Sequence, residues 1–154
     1  MIPEYMTAMV FEDINVIKAR QVPTPKPGRG EALVKIMASG LCITDVHVLQ
    51  GTFAHSKPPC VLGHEIAGQI VAFGEEQPWP HSLKLHQRVV IETMIACGQC
   101  PQCLSGFKNL CENGGDIGEP PFQGGYSEYI TMPVGNLHPI PDNMSYEEAA
   151  IFES

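Results

Sequence analysis

Hydrophobic and polar positions alternate over short stretches along most of this chain, and glycine and proline cut the stretches apart. Residues 7–12 read as a first strand and residues 16–19 as a second. Residues 32–38 set Val34 and Ile36 against Lys35, the pattern of a strand buried on one face. Residues 88–92 read as a buried strand and residues 126–131 as another. Helical signals are few. Residues 39–51 read as a turn opening a short helix over residues 44–50, with Gly51 closing it in a left-handed cap. Ser145-Tyr146-Glu147-Glu148 is a capping box, so a second helix starts there and continues to Ser154. The pattern predicts a mainly β chain with short helices.

Composition narrows the partners. The chain has 154 residues, 44 % hydrophobic and 17 % charged, which is one ordinary globular domain over residues 1–154. Fourteen prolines and fifteen glycines fit many turns and short strands. A net charge of −8 excludes nucleic acid or an anionic membrane as the main partner, since both need basic patches. No apolar run approaches the roughly 20 residues that span a bilayer. Residues 1–10 lack a basic segment followed by a long apolar one, so a cytoplasmic setting is expected.

The chain is organised around Gly63-His64-Glu65-Ile66-Ala67-Gly68-Gln69-Ile70-Val71-Ala72-Phe73-Gly74. His64 and Glu65 would point to opposite faces of a strand and could not readily share one ion. The glycine before them suggests a turn that brings both near one point. Gly68, inside an otherwise β-rich run, suggests a bulge or a close backbone approach.

Four of the six cysteines, Cys97, Cys100, Cys103 and Cys111, are spaced C-x2-C-x2-C-x7-C. Short loops let successive thiolates turn toward one centre, and four of them close the tetrahedral shell of a structural zinc. A disulfide framework would need a secreted context, and an iron–sulfur cluster with related spacing usually ends in Cys-Pro. A closed shell has no open position for chemistry, so the reactive site lies elsewhere.

Cys42 is the natural thiolate for a second, open centre, because it precedes a helix whose N-terminal dipole favours a negative ligand. Thr44, His47 and Val48 share one face of that helix by their spacing. A hydroxyl beside a metal and an imidazole behind it form a proton path to solvent. Cys60 has no ligand set near it and reads as a small buried hydrophobe.

These motifs together resemble the zinc-containing medium-chain alcohol dehydrogenases. The run Gly63 to Gly74 is similar to their G-H-E-x2-G-x5-G signature, and residues 97–111 are similar to the loop of their lobe zinc. Gly40-Leu41-Cys42-Ile43-Thr44-Asp45-Val46-His47 resembles G-x-C-x-[ST]-D-x-H, and Gly124-Gly125-Tyr126-Ser127-Glu128-Tyr129 resembles G-G-x-[AS]-E-Y. The resemblance implies a distorted, partly open β-barrel of the kind shared with the small co-chaperonins (GroES-like), with the zinc lobe at about residues 96–115. It implies Cys42 and His64 as zinc ligands and Glu65 as a ligand or exchangeable neighbour. Thr44 would then bond the alcohol oxygen, and His47 would relay its proton. Residues 140–150 resemble the stretch leading into the helix that joins two domains, here residues 145–154. Glu153 stands in it where the polyol, threonine and related sugar dehydrogenases carry a glutamate, which points to that branch and to a further zinc ligand.

Several positions depart from the family pattern. Gln77 replaces a small apolar residue, His86-Gln87-Arg88-Val89 replaces the usual Gly-Asp-Arg-Val turn, and Ser154 stands where many members have proline. No strand–G-x-G-x-x-G–helix unit occurs in these residues. The expected chain is therefore a catalytic domain of a longer, homo-oligomeric dehydrogenase, inactive alone. The parent would oxidise a small secondary alcohol and pass hydride to NAD(P)+. A GroES-like binding module without enzymatic activity is the alternative, and it would need neither metal-ligand set.

Overall fold

The computed structural model describes residues 1–53, 57–75 and 83–152. The proposed ligand Glu153, and with it Ser154, Gln77 and Pro78-Trp79-Pro80, lie outside the described residues. Strands β1 (Tyr5–Asp13) and β2 (Val16–Pro23) form an antiparallel hairpin paired from Tyr5–Pro23 to Asp13–Val16. The second strand runs past residue 19 because its polar side chains bond across the hairpin. Gln21 Nε2 donates to Thr7 Oγ1 at 2.9 Å and Arg20 Nε to Glu12 Oε1 at 2.6 Å. That exposed, polar half carries no alternation to read.

Strand β3 (Glu31–Ser39) leads into helix α1 (Ile43–Leu49) and the two-residue β4 (Cys60–Val61). Then come β5 (Ile66–Phe73), β6 (Arg88–Ile91) and β7 (Met94–Ile95). Helix α2 (Pro101–Leu104) and β8 (Gly115–Asp116) follow, then β9 (Tyr129–Pro133), β10 (Leu137–Pro139) and helix α3 (Tyr146–Ala150). A three-stranded sheet orders β2-β1-β4, a five-stranded sheet orders β10-β6-β5-β3-β9, and β7 pairs with β8 alone. The bridge between Ala8 and Ser127 and the bond from Met9 N to Tyr126 O (2.7 Å) join the two larger sheets into a distorted, partly open barrel. Residues 126–128 make this crossing, so the strand expected from residue 126 starts at Tyr129. Opposite Gly68, β3 carries the extra residue Met37, and the Lys35 carbonyl comes so close that any side chain at Gly68 would collide with it.

The core fills with the inward positions of the five-stranded sheet, among them Val34, Ile66, Ile70, Val89, Ile91 and Met132, all essentially buried. Helix α1 sits over the small sheet through Val48, which packs with Phe11, Cys60 and Leu62. Cys60 is therefore a core residue, and burial raises its thiol pKa. Helix α3 starts at the expected capping box, where Glu148 N donates to Ser145 Oγ at 3.1 Å and Ser145 N to Glu148 Oε2 at 2.8 Å. It ends at Ala150, short of the expected length. Ala149 and Ala150 pack on Ala67 and Ile140, so only Ile151 and Phe152 of the apolar end are exposed. Arg88 fastens this segment: its guanidinium donates to the carbonyls of Asp142 and Met144 and lies 4.6 Å from the Tyr146 ring centroid. Among the described residues, no helix is long and apolar enough to cross a membrane.

His86 adopts φ 66°, a left-handed backbone that costs a non-glycine residue about 1 kcal/mol. It occupies the turn in which the resembling family carries glycine. His86→Gly should raise the urea midpoint by an amount worth up to about 1 kcal/mol, with an unchanged slope. A lowered midpoint would show that the His86 side chain stabilises the turn.

Candidate metal centres and cleft

Two groups of ligand-type side chains converge, and in each the ligand atoms all lie within 4.8 Å of one another. The first is Cys97, Cys100, Cys103 and Cys111. Around a zinc ion at 2.3 Å, thiolates sit about 3.8 Å apart. The Cys100–Cys111 sulfur separation is 3.9 Å, and all six cysteines are unpaired. Local backbone builds the cluster. Cys100 caps α2 and accepts from Cys103 N at 3.5 Å, while Cys97 N donates to Cys111 Sγ at 3.2 Å. Backbone bonds from Gln99 and Cys100 pull the Cys97 thiol down to about 6, and bonds from Cys103 and Glu112 lower that of Cys100. Desolvation and the neighbouring thiols push Cys103 up to about 12. Thiolates gathered this tightly need a cation among them, so the donor set fits a closed zinc shell.

The second group is Cys42, His64 and Glu65. Cys42 stands in extended backbone at the cap of α1. Gly63 takes φ +93°, which ends the chain's run along Cys60–Val61 and turns His64 and Glu65 before β5 begins at Ile66. The adjacent pair therefore lies outside the strand ladder, and both side chains reach the Cys42 sulfur's neighbourhood. Glu65 is 7 % exposed, and its carboxylate lies against Gly40, where a Cβ would fall 1.9 Å from Oε2. One thiolate, one imidazole and one carboxylate leave a tetrahedral ion an open position, as a catalytic zinc requires.

Behind the ligands sits Asp45, to which sequence reasoning assigned no role. It is 8 % exposed. Its Oδ2 accepts from Cys42 N at 3.1 Å and from the Tyr126 hydroxyl at 2.8 Å, and its Oδ1 accepts from Gly63 N at 3.1 Å. His64 Nδ1 lies 3.8 Å from the same Oδ1. Burial first, and then the bond to Asp45, raise the Tyr126 phenol well above its usual range, so it stays a neutral donor. The position of Asp45, three residues after the capping Cys42, is the signal that could have found it.

A cleft of about 190 Å³ opens beside this group. Thr44, Val48, Leu62 and His64 line it together with Thr93, Asp116, Ile117 and Glu119, whereas Cys42 and Glu65 do not. Thr44 Oγ1 lies 3.5 Å from Cys42 Sγ. His47, expected on the same face as Thr44 and Val48, is exposed and does not line the cleft, whereas Val48 is buried. A larger groove of about 640 Å³ lies among Met6, Val22, Phe122 and Tyr129, away from both donor sets. Chemistry therefore picks out the smaller cavity.

Residues 28–142 match the alcohol dehydrogenase GroES-like domain, and the chain belongs to this family of zinc-containing medium-chain dehydrogenases. It is 36 % identical to a sorbitol dehydrogenase of Bacillus subtilis, over 99 % of this chain and 43 % of that protein. The fold superposes on acetophenone reductase from Geotrichum candidum, solved in complex with NAD, with a TM-score of 0.89 and 38 % identity, covering 99 % of this chain and 45 % of that one. It also superposes on a cobalt- and zinc-bound thermostable alcohol dehydrogenase from Pyrobaculum aerophilum, with a TM-score of 0.82 and 31 % identity, covering 97 % and 45 %. The chain thus spans less than half the length of these relatives.

Cys103→Ser should remove the lobe metal and unfold the lobe, because a structural zinc contributes folding energy directly. Cys60→Ser should leave the metal content unchanged. Elemental analysis of purified variants decides this: a Cys103→Ser protein with its full zinc complement would contradict the assignment.

Proposed function

We propose that the chain is the metal-bearing catalytic part of a zinc-dependent oxidoreductase that oxidises a secondary alcohol of the polyol or threonine type, with hydride passing to NAD(P)+. The observation that carries this reading is the convergence of Cys42, His64 and Glu65, with His64 and the neighbouring Thr44 lining a cleft. A zinc ion held by these three would act as a Lewis acid on the substrate oxygen. Thr44 would accept the alcohol proton while passing its own hydroxyl proton onward, and the exposed His47 would exchange the relayed proton with solvent. Val48, Leu62 and Ile117 keep the cleft apolar near the reacting carbon, while Asp116 and Glu119 can accept hydrogen bonds from further hydroxyls. Those two carboxylates favour a substrate that offers hydroxyl or ammonium donors over an anionic one, which fits both a polyol, as in the name of the Bacillus sorbitol dehydrogenase, and an amino alcohol.

These 154 residues contain no strand–G-x-G-x-x-G–helix unit. In this reading a second domain holds the hydride acceptor, and the chain alone turns nothing over. The NAD bound to the Geotrichum enzyme supports a nicotinamide cofactor. A reducing cytoplasm is the setting that keeps six unpaired cysteines available. The rival reading, a non-enzymatic module on the same barrel, explains neither donor set.

In a longer protein that carries these residues with a nucleotide-binding domain, Cys42→Ala or His64→Ala should abolish alcohol-dependent reduction of NAD(P)+. His47→Ala should cost less than about a hundred-fold in kcat, the low end of an acid–base contribution, since water can replace it. Retained activity without Cys42 and His64 would overturn the proposal.

A further inference from the structure

We infer that Tyr126 is a positioning residue for the Cys42–His64–Glu65 centre, its hydroxyl holding the Asp45 carboxylate in the orientation that ties the Cys42 loop to the His64 turn. The inference rests on the reading of those three side chains as metal ligands. Asp45 alone is poorly placed to fix them, because it is a side chain on a helix of only seven residues. Tyr126 is anchored on a different part of the fold. Its N–H donates to Leu62 O at 2.9 Å, and its carbonyl accepts from Met9 N at 2.7 Å. Its ring lies directly under Gly63, where a Cβ would fall 2.7 Å from the ring edge.

From that fixed base the hydroxyl reaches Asp45 Oδ2 at 2.8 Å and Gly40 O at 3.1 Å. It therefore touches both ends of residues 40–45, the segment that carries Cys42 into the first turn of α1. The carboxylate it steadies bonds Cys42 N and Gly63 N, one residue from His64. A phenylalanine at 126 would fill the same space under Gly63 and keep both backbone bonds. The oxygen atom is the part that reaches the metal centre's supports. Removing such an outer partner of metal ligands costs about ten-fold or more in affinity.

The test is a titration of this chain, its lobe loaded with zinc, with Co2+ alone, read by the visible and thiolate-to-cobalt absorption bands. Wild type should bind one further cobalt ion. Tyr126→Phe should bind it about ten-fold more weakly, with shifted bands and unchanged lobe zinc. In an Asp45→Asn background the same substitution should add little, because its effect runs through the carboxylate. Unchanged affinity and spectrum in Tyr126→Phe would overturn the inference and leave the ligand reading standing. An equal loss with and without Asp45 would also overturn it, since Tyr126 would then act by another route. A wild-type chain that takes up no second metal at any cobalt concentration overturns the ligand reading and this inference together.

Discussion

A buried carboxylate is costly unless every acceptor position is used, and Asp45 meets that cost by joining three separate segments. It bonds the backbone at Cys42, the backbone at Gly63 and the hydroxyl of Tyr126, and it lies near the His64 ring. The candidate ligands come from two segments that leave the β3–β5 pairing just after Ser39–Ile66, where Gly40 N still donates to Glu65 O at 2.8 Å. That rung fixes the Glu65 backbone, but Cys42 at the cap of α1 and the Gly63 turn before His64 lie beyond it. Asp45 adds a second link at Cys42 N and Gly63 N, so the ligand side chains start from defined positions. Gly40 and Gly63 complete the arrangement by leaving room, the first for the Glu65 carboxylate and the second for the Tyr126 ring.

The four-cysteine lobe contributes to the same cleft. Its two ends leave the barrel as β7 and β8, paired at Met94–Asp116 and Ile95–Gly115. Two residues cannot hold a strand pair by themselves. Closure of the lobe by four thiolates shortens the loop between them, and the Asn136 amide pins the first strand by donating to Glu92 O and Met94 O. Thr93, Asp116, Ile117 and Glu119 lie in or beside this pair and line the cleft. In the proposed reading, a centre with no open position would thus still bear on substrate binding, through the cleft residues that flank β7 and β8.

Much of this was legible in the residues, and the exceptions have physical causes. Alternation located β3, short β-rich runs located β1, β5 and β6, and the box at Ser145 located the start of α3, because each is a local signal of several residues. The pairs β4, β7 and β8 are too short to show any period. The far half of β2 is a polar edge, and residues 126–128 leave their sheet to bridge another. The two side-chain groups that could hold a metal were visible because C-x2-C spacing and a glycine before His-Glu are local. Asp45 and Tyr126 were not, although both stood inside quoted motifs. The capping position of Asp45 is a local signal for its bond to Cys42, but its bond to Tyr126 spans 81 positions and leaves no local trace.

The central claim is that this chain holds two metal centres of different kinds. Crystals grown with zinc in excess and measured on either side of the zinc absorption edge would locate both directly. Two anomalous peaks are expected, one among Cys97, Cys100, Cys103 and Cys111, the other between Cys42, His64 and Glu65. A single peak in the lobe, with Cys42, His64 and Glu65 bonded only to one another or to water, would contradict the account.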